Sequence, residues 1–181
     1  MIVTRALIPD VLRIEPQRFE DERGWFNEAF RASAYAAWGI PASFPQDSVS
    51  RSRRGVLRGL HFQHPAAQGK LVSCLEGEVL DVAVDLRLGS PTFGRHVATR
   101  LSSANGIQKW IPEGFAHGFL VLSNWALFHY KCTREYDPGG QFSIRWDDPE
   151  LGIEWPIASP AVSIRDATAQ SFSDTVTALE A

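Results

Sequence analysis

The chain has 181 residues, 44% hydrophobic and 22% charged, which supplies enough apolar material for one buried core and excludes the composition of a disordered chain. Its net charge of −3, with both signs interspersed, gives no long-range pull toward nucleic acid or an anionic membrane, so any phosphate must be met by a local arginine cluster. The length is that expected of a single domain spanning residues 1–181.

The opening MIVTRALIPD has no basic stretch followed by a long apolar run, so neither secretion nor membrane insertion is expected and the chain is assigned to the cytoplasm. A first short strand is expected at residues 11–15. Ser33 then offers a hydroxyl cap for a short helix reaching Trp38, ended by Gly39 and Pro41. Strands follow at residues 56–63, 71–75 and 78–87. In the last of these Leu80, Val82, Val84 and Leu86 point one way and Asp81, Ala83 and Asp85 the other, the pattern of a half-buried strand. Further strands are expected at residues 95–101, 109–111, 118–122 and 127–133, separated by Gly, Pro, Asn and Ser. Residues 155–174 turn irregular and should wrap back over the strands, and Ser173 can cap a last helix through Leu179. Many short strands with short peripheral helices define an all-β sandwich or barrel. Cys74 and Cys132 lie inside strand-like stretches without metal or redox spacing, so both are expected as buried free thiols.

Two stretches resemble the paired signatures of the cupin superfamily, a jelly roll or double-stranded β-helix whose usual metal is held by an HxH pair, a Glu and a later His. Gly106, Pro112, Gly114 and His117 in GIQKWIPEGFAHGF keep the second half. The first half keeps Gly55, His61 and Gly77, but Gln63 stands in place of the second His and Lys70 in place of the Glu. An ammonium opposes a divalent cation rather than binding it, so no metal and no cofactor is expected. His61, Lys70 and His117 gathered in a barrel mouth suit general-base chemistry on a substrate that becomes an anion. On these residues alone, His61 and His117 could equally be satisfied core histidines.

Reading outward from these half-motifs, the chain resembles the dTDP-4-dehydrorhamnose 3,5-epimerase family along nearly its whole length. The stretches that carry the resemblance are FEDERGWFNEAF, FPQDSVSRSRRGVLRGLHFQ, KLVSCLEGEVLDVAVDLRLGSPTFG, IPEGFAHGFLVLS, FHYKCTREYDP and SIRD. It implies a metal-independent epimerase in which His61 removes a proton beside the ketone of a nucleotide-linked 4-keto sugar. By the same resemblance Asp166 orients His61, Tyr130 returns a proton from the other face, and Lys70 stabilises the intermediate enolate. It places Arg23 and Arg58 near the diphosphate, Tyr136 on the nucleotide base, and Phe26, Glu28, Gln46, Ser48, His117, Gln141 and Arg165 around the ligand. It further implies a homodimer in which the N-terminal segment reaches a neighbouring subunit. Strict alternation sets Arg58 and His61 on opposite faces of one strand, which a bulge or a rim position would reconcile.

The match departs where the family usually has Gln-x-Asn and this chain has Gln46, Asp47 and Ser48, and where Gln141 and Arg165 stand for an acidic residue and a lysine. These are ligand contacts in the family, so the nucleotide, the sugar, and inversion at C3, C5 or both stay open. A non-catalytic nucleotide-sugar-binding cupin would need the arginines and stacking aromatics but not an acid and a base. A metal-dependent cupin isomerase or dioxygenase would need ligands beyond His61 and His117, and His64, His96 and His129 recreate no HxH spacing.

Overall fold

A computed structural model describes residues 1–180. In chain order the strands are β1 (Ile2–Arg5), β2 (Leu12–Glu15), β3 (Arg18–Asp21) and β4 (Gly24–Asn27), then after helix α1 (Ala32–Ala36) β5 (Gln46–Arg53), β6 (Leu57–Gln63), β7 (Lys70–Glu76) and β8 (Glu78–Asp85). They continue with β9 (His96–Ser102), β10 (Gln108–Ile111), β11 (Phe115–Val121), β12 (Trp125–Cys132) and β13 (Gln141–Ser143), followed by helices α2 (Ile164–Ala167) and α3 (Phe172–Glu180). One sheet runs β1-β2-β10-β7-β12-β5, the other β13-β6-β11-β8-β9, and β3 pairs only with β4. Ladders within the two large sheets are antiparallel. The fold is therefore the all-β jelly roll expected, and among the described residues no helix is long and apolar enough to cross a membrane.

The two sheets meet over one apolar cluster, to which Val72, Ile111 and Phe128 contribute from the larger sheet and Val79, Ala83, Phe119 and Val121 from the smaller. Every strand expected from the sequence forms, with small shifts at its ends. Two capping expectations need correction. Ser33 lies inside α1, whose N-cap is Arg31 with no side-chain cap, while Gly39 ends the turn in the left-handed region at φ 76°. In α3 the hydroxyl that accepts a hydrogen bond from the Asp174 N–H is Ser171, not Ser173.

β8 is also not half-buried. Both of its faces are covered, because the C-terminal segment and α3 lie over Val82, Val84 and Leu86 through Leu151, Trp155, Phe172 and Val176. Left in water, such aliphatic side chains would forgo roughly 1.5–3 kcal/mol each. The polar face, Asp81 and Asp85, is consequently the barrel interior, and it is fully buried. On the larger sheet, α1 and the chain around Phe44 cover Leu12, Ile14, Leu71 and Trp110 in the same way.

Candidate active site

Inward-facing side chains near one end of the barrel are polar, and they line a cavity of about 240 Å³ that includes His61, Lys70, His117, Tyr130 and Cys132. His61 and His117 come from β6 and β11 and face each other in register. Lys70, Tyr130 and Cys132 come from β7 and β12 of the opposite sheet, with Cys132 the register partner of Lys70.

Arg58 also lines this cavity, although it is three positions before His61. The pairing of β6 with β11 slips between His117 and Phe119, so that Arg58 to His61 on one strand oppose His117 to Phe119 on the other. Gly59 makes the bulge possible. It sits at φ 127°, and a Cβ there would meet Gly118 Cα at 2.5 Å and the His117 carbonyl at 2.8 Å. The bulge adds one residue and brings Arg58 and His61 to the same face.

His61 Nε2 lies 2.6 Å from Asp166 Oδ1. Asp166 is buried in α2, where Ser163 caps the helix by accepting from the Asp166 N–H. Burial acts to raise the Asp166 pKa, but the hydrogen bond and charge of His61 outweigh it and hold the carboxyl below its ordinary value. An ionised Asp166 requires the proton of a neutral His61 on Nε2, which leaves Nδ1 with the lone pair. Tyr130, across the cavity, has its phenol pKa raised chiefly by burial, so it stays protonated at neutral pH.

Lys70 forms no ion pair among the described residues, and its accessible surface looks into the cavity. Burial lowers its pKa, with the Asp81 carboxylate acting in the opposite direction. Behind this wall lies a group the sequence reading missed. His117 Nε2 is 2.6 Å from Asp81 Oδ2, and Lys109 Nζ is 3.0 Å from Asp81 Oδ1. The sequence signal was a charged residue on the inward face of two apolar strands, Asp81 on β8 and Lys109 on β10.

At the cavity lip, the amide of Gln46 accepts from the Tyr136 N–H at 2.6 Å and donates to Ser48 at 3.0 Å. Gln63, where a metal-binding cupin would carry its second His, is turned to the same loop: it accepts from the Asp137 N–H and donates to the Ala66 carbonyl. Among the described residues no group of three His, Cys, Asp or Glu side chains is gathered to hold a metal ion. Gln141 lines the cavity, and Arg165 donates to its side-chain oxygen at 2.9 Å and to its carbonyl at 2.8 Å. Arg165, Asp166 and His61 share an adjoining cleft. Gln68 and Phe119 are lining residues the sequence did not single out, and Cys132, expected only as a buried free thiol, lines the cavity too.

Three expected site residues lie elsewhere in the chain's own structure. Arg23 and Phe26 sit on the β3–β4 hairpin, exposed and outside the cavity lining, with Arg23 paired to Asp21. Glu28 lines a separate cleft with Tyr35 and Arg31.

A jelly roll whose mouth holds a His–Asp pair, a lysine without a carboxylate partner, and a protonated phenol on the facing sheet defines a cupin equipped for proton transfer. The comparisons with known proteins carry this further. The profile of the dTDP-4-dehydrorhamnose 3,5-epimerase family matches residues 5–174. A dTDP-4-dehydrorhamnose 3,5-epimerase of Pseudomonas aeruginosa is 54% identical over 176 residues, covering 96% of this chain and 97% of that one. Among solved structures, a dTDP-6-deoxy-D-glucose 3,5-epimerase of Legionella pneumophila in complex with dTDP-4-keto-L-rhamnose superposes with a TM-score of 0.92 at 52% identity, covering 95% and 93% of the two chains. A 3'-monoepimerase of Streptomyces bikiniensis in complex with dTDP-quinovose superposes with a TM-score of 0.90 at 34% identity, covering 98% and 91%. The chain belongs to the dTDP-4-dehydrorhamnose 3,5-epimerase family.

Proposed function

We propose that this protein epimerises a dTDP-linked 4-keto-6-deoxy-hexose at C3, C5 or both, by proton abstraction and return through an enolate, without a metal or cofactor, in the cytoplasm. The observation that carries the reading is the placement of His61 and Tyr130 on facing sheets of one cavity with Lys70 beside them. A ring lying between the sheets would meet a base on one face and an acid on the other.

His61 Nδ1 takes the proton from the carbon beside the ketone, and the C–H electron pair moves into the enolate. Lys70 donates a hydrogen bond to the oxygen as its charge develops, at a depth where that charge meets little water. Tyr130 gives its phenolic proton to the opposite face of the carbon. His61 then returns its proton to solvent and Tyr130 recovers one, so solvent hydrogen enters the product. Arg58 contacts the diphosphate through its planar guanidinium, Tyr136 at the lip stacks on the base, and Gln46, Ser48, His117, Gln141 and Arg165 complete the pocket. Arg23, Phe26 and Glu28 reach the site of a second subunit in a homodimer, each chain being one domain. That a 3,5-epimerase at 52% identity and a 3'-monoepimerase at 34% identity are both bound to dTDP-sugars supports the dTDP-sugar and leaves the number of inverted carbons to experiment.

The test is deuterium uptake by dTDP-4-keto-6-deoxy-glucose in heavy water with chelator-treated protein, read by proton NMR at C3 and C5. Exchange at both carbons supports a 3,5-epimerase and exchange at one a monoepimerase. Tight dTDP binding without exchange at either would sink the catalytic reading in favour of a binding cupin.

A further inference from the structure

Lys109 and its partner Asp81 are buried charged groups behind the cavity to which the proton transfer gives no task. The Lys109 side chain is 1% exposed, yet it lies on the inward face of β10 between apolar neighbours Ile107 and Ile111. Its ammonium donates to the Val97 carbonyl at 2.9 Å and the Asp81 carbonyl at 3.2 Å, and it stands 3.0 Å from Asp81 Oδ1 as an ion pair without hydrogen-bond geometry. A neutral amine at that place would leave the buried Oδ1 with neither a hydrogen bond nor a charge partner, so the contact favours the ammonium.

The other oxygen of Asp81 is taken by His117 Nε2. Two buried bases therefore compete for one carboxylate. Protonating both would leave a net positive charge in the interior close to the Lys70 ammonium, at a desolvation cost that a single carboxylate does not offset. Burial lowers the pKa of both groups and Asp81 opposes it in each, while the amine starts as the stronger base by about four orders of magnitude. The charge thus falls to Lys109, and His117 keeps a single proton on Nε2, donated to Asp81.

We infer that Lys109 is a positioning residue: by occupying the charge-balancing place beside Asp81 it keeps His117 neutral, so that His117 presents a lone pair on Nδ1 while Lys70 carries the positive charge to the enolate. The titratable groups around His117 are His61 on the paired strand β6, Asp81 on β8, Lys109 on β10 and Lys70 on β7, with Tyr130 and Cys132 across the same cavity. Burial lowers the His117 pKa, Lys70 and Lys109 lower it further, and only Asp81 opposes them. Without Lys109, His117 becomes the partner through which Asp81 is neutralised, and the positive charge of an imidazolium beside Lys70 disfavours the ammonium that the enolate needs.

The consequence for turnover rests on the roles proposed above for Lys70 and His117, but the protonation state is read without substrate. In 15N-labelled protein, with the His117 signals assigned by their loss in His117→Gln, the ring nitrogens are followed from pH 8.5 to 5.5. The wild-type protein should show the neutral Nε2–H tautomer throughout the neutral range. In Lys109→Met, His117 should titrate at higher pH, and the acid limb of kcat should move up by the same interval. Adding Asp81→Asn to Lys109→Met should return His117 to neutrality. A purely structural lysine would change the melting temperature and leave the His117 titration in place, which overturns the inference, as does an imidazolium at His117 in wild-type protein at pH 7. If Lys109→Met fails to fold, Lys109→Gln, which can donate to the Val97 and Asp81 carbonyls without the charge, carries the same comparison. Absent turnover with a neutral His117 would count against the proposed function and not against this inference.

Discussion

At the residue scale the His61–Asp166 contact makes the strongest demand. Asp166 is buried, its backbone is fixed by the Ser163 cap, and its carboxylate meets Nε2 at 2.6 Å, so the tautomer of His61 is set by a side chain that itself has little freedom. Asp166→Asn keeps the shape but can present an amide N–H to Nε2, which selects the tautomer with the proton on Nδ1 and blocks the base. The expected outcome is a fall in kcat of roughly 10²–10⁴-fold with nearly unchanged dTDP affinity, measured by steady-state kinetics beside calorimetric titration. Equal losses in both would assign Asp166 to binding instead. His61, Lys70, Tyr130 and Asp166 were legible because each stands in a motif with fixed neighbours. Asp81 and Lys109 were not, since a charged residue in a strand is ordinarily read as solvent-facing and only the covering of both faces of β8 turns Asp81 inward. The two substitutions that looked like independent departures, Gln141 and Arg165, bond to one another; a pair contributed by residues 24 apart is invisible to a reading of each alone.

At the element scale the bulge between β6 and β11 decides whether Arg58 and His61 can serve one ligand. Gly59→Ala would place a methyl 2.5 Å from Gly118 Cα, backbone that cannot step aside cheaply, in a φ region unfavourable to alanine. The variant should lose at least ~1–3 kcal/mol in denaturant unfolding, and the residual folded protein should show a larger loss in kcat/KM than in stability-corrected dTDP binding. Unchanged unfolding would mean that the strands tolerate a different register. The alternation rule anticipated the conflict and named a bulge as one remedy, because period-2 geometry is rigid enough to expose a violation. It was silent about β5: the inward residues there are Gln46, Ser48, Ser50 and Ser52, polar groups where a core-facing strand usually shows aliphatics, so no hydrophobic period exists to be read. The missed helix caps have a related cause, since Ser33 and Ser173 are plausible caps by type, and one-to-two-residue displacement of helix ends is decided by packing.

At the scale of the whole molecule, the β3–β4 hairpin stands apart from both large sheets and holds Phe19, Trp25 and Phe26 more than half exposed. A lone two-stranded ribbon is marginal in water, and aromatic side chains exposed together with Arg18, Arg23 and Asp21 on the same ribbon have the composition of a contact surface. If that ribbon completes the neighbouring subunit's site, Arg23 and His61 of one chain act in different cavities, whereas Arg58 and His61 act in the same one. Two separately impaired proteins then distinguish the cases. Arg23→Ala and His61→Ala homodimers, dissociated and reassociated at equal amounts, give mixed dimers in which one site has both wild-type residues. Activity should return to about a quarter of wild type, since half the dimers are mixed and each has one intact site of two. Mixing Arg58→Ala with His61→Ala should restore nothing, because in every combination the intact Arg58 and the intact His61 remain in different cavities. Recovery in neither, while size-exclusion chromatography shows that subunits have exchanged, would place Arg23 in its own chain's site, and the exposed aromatic ribbon would need a different partner; recovery in both would move Arg58 as well into the neighbouring subunit's cavity.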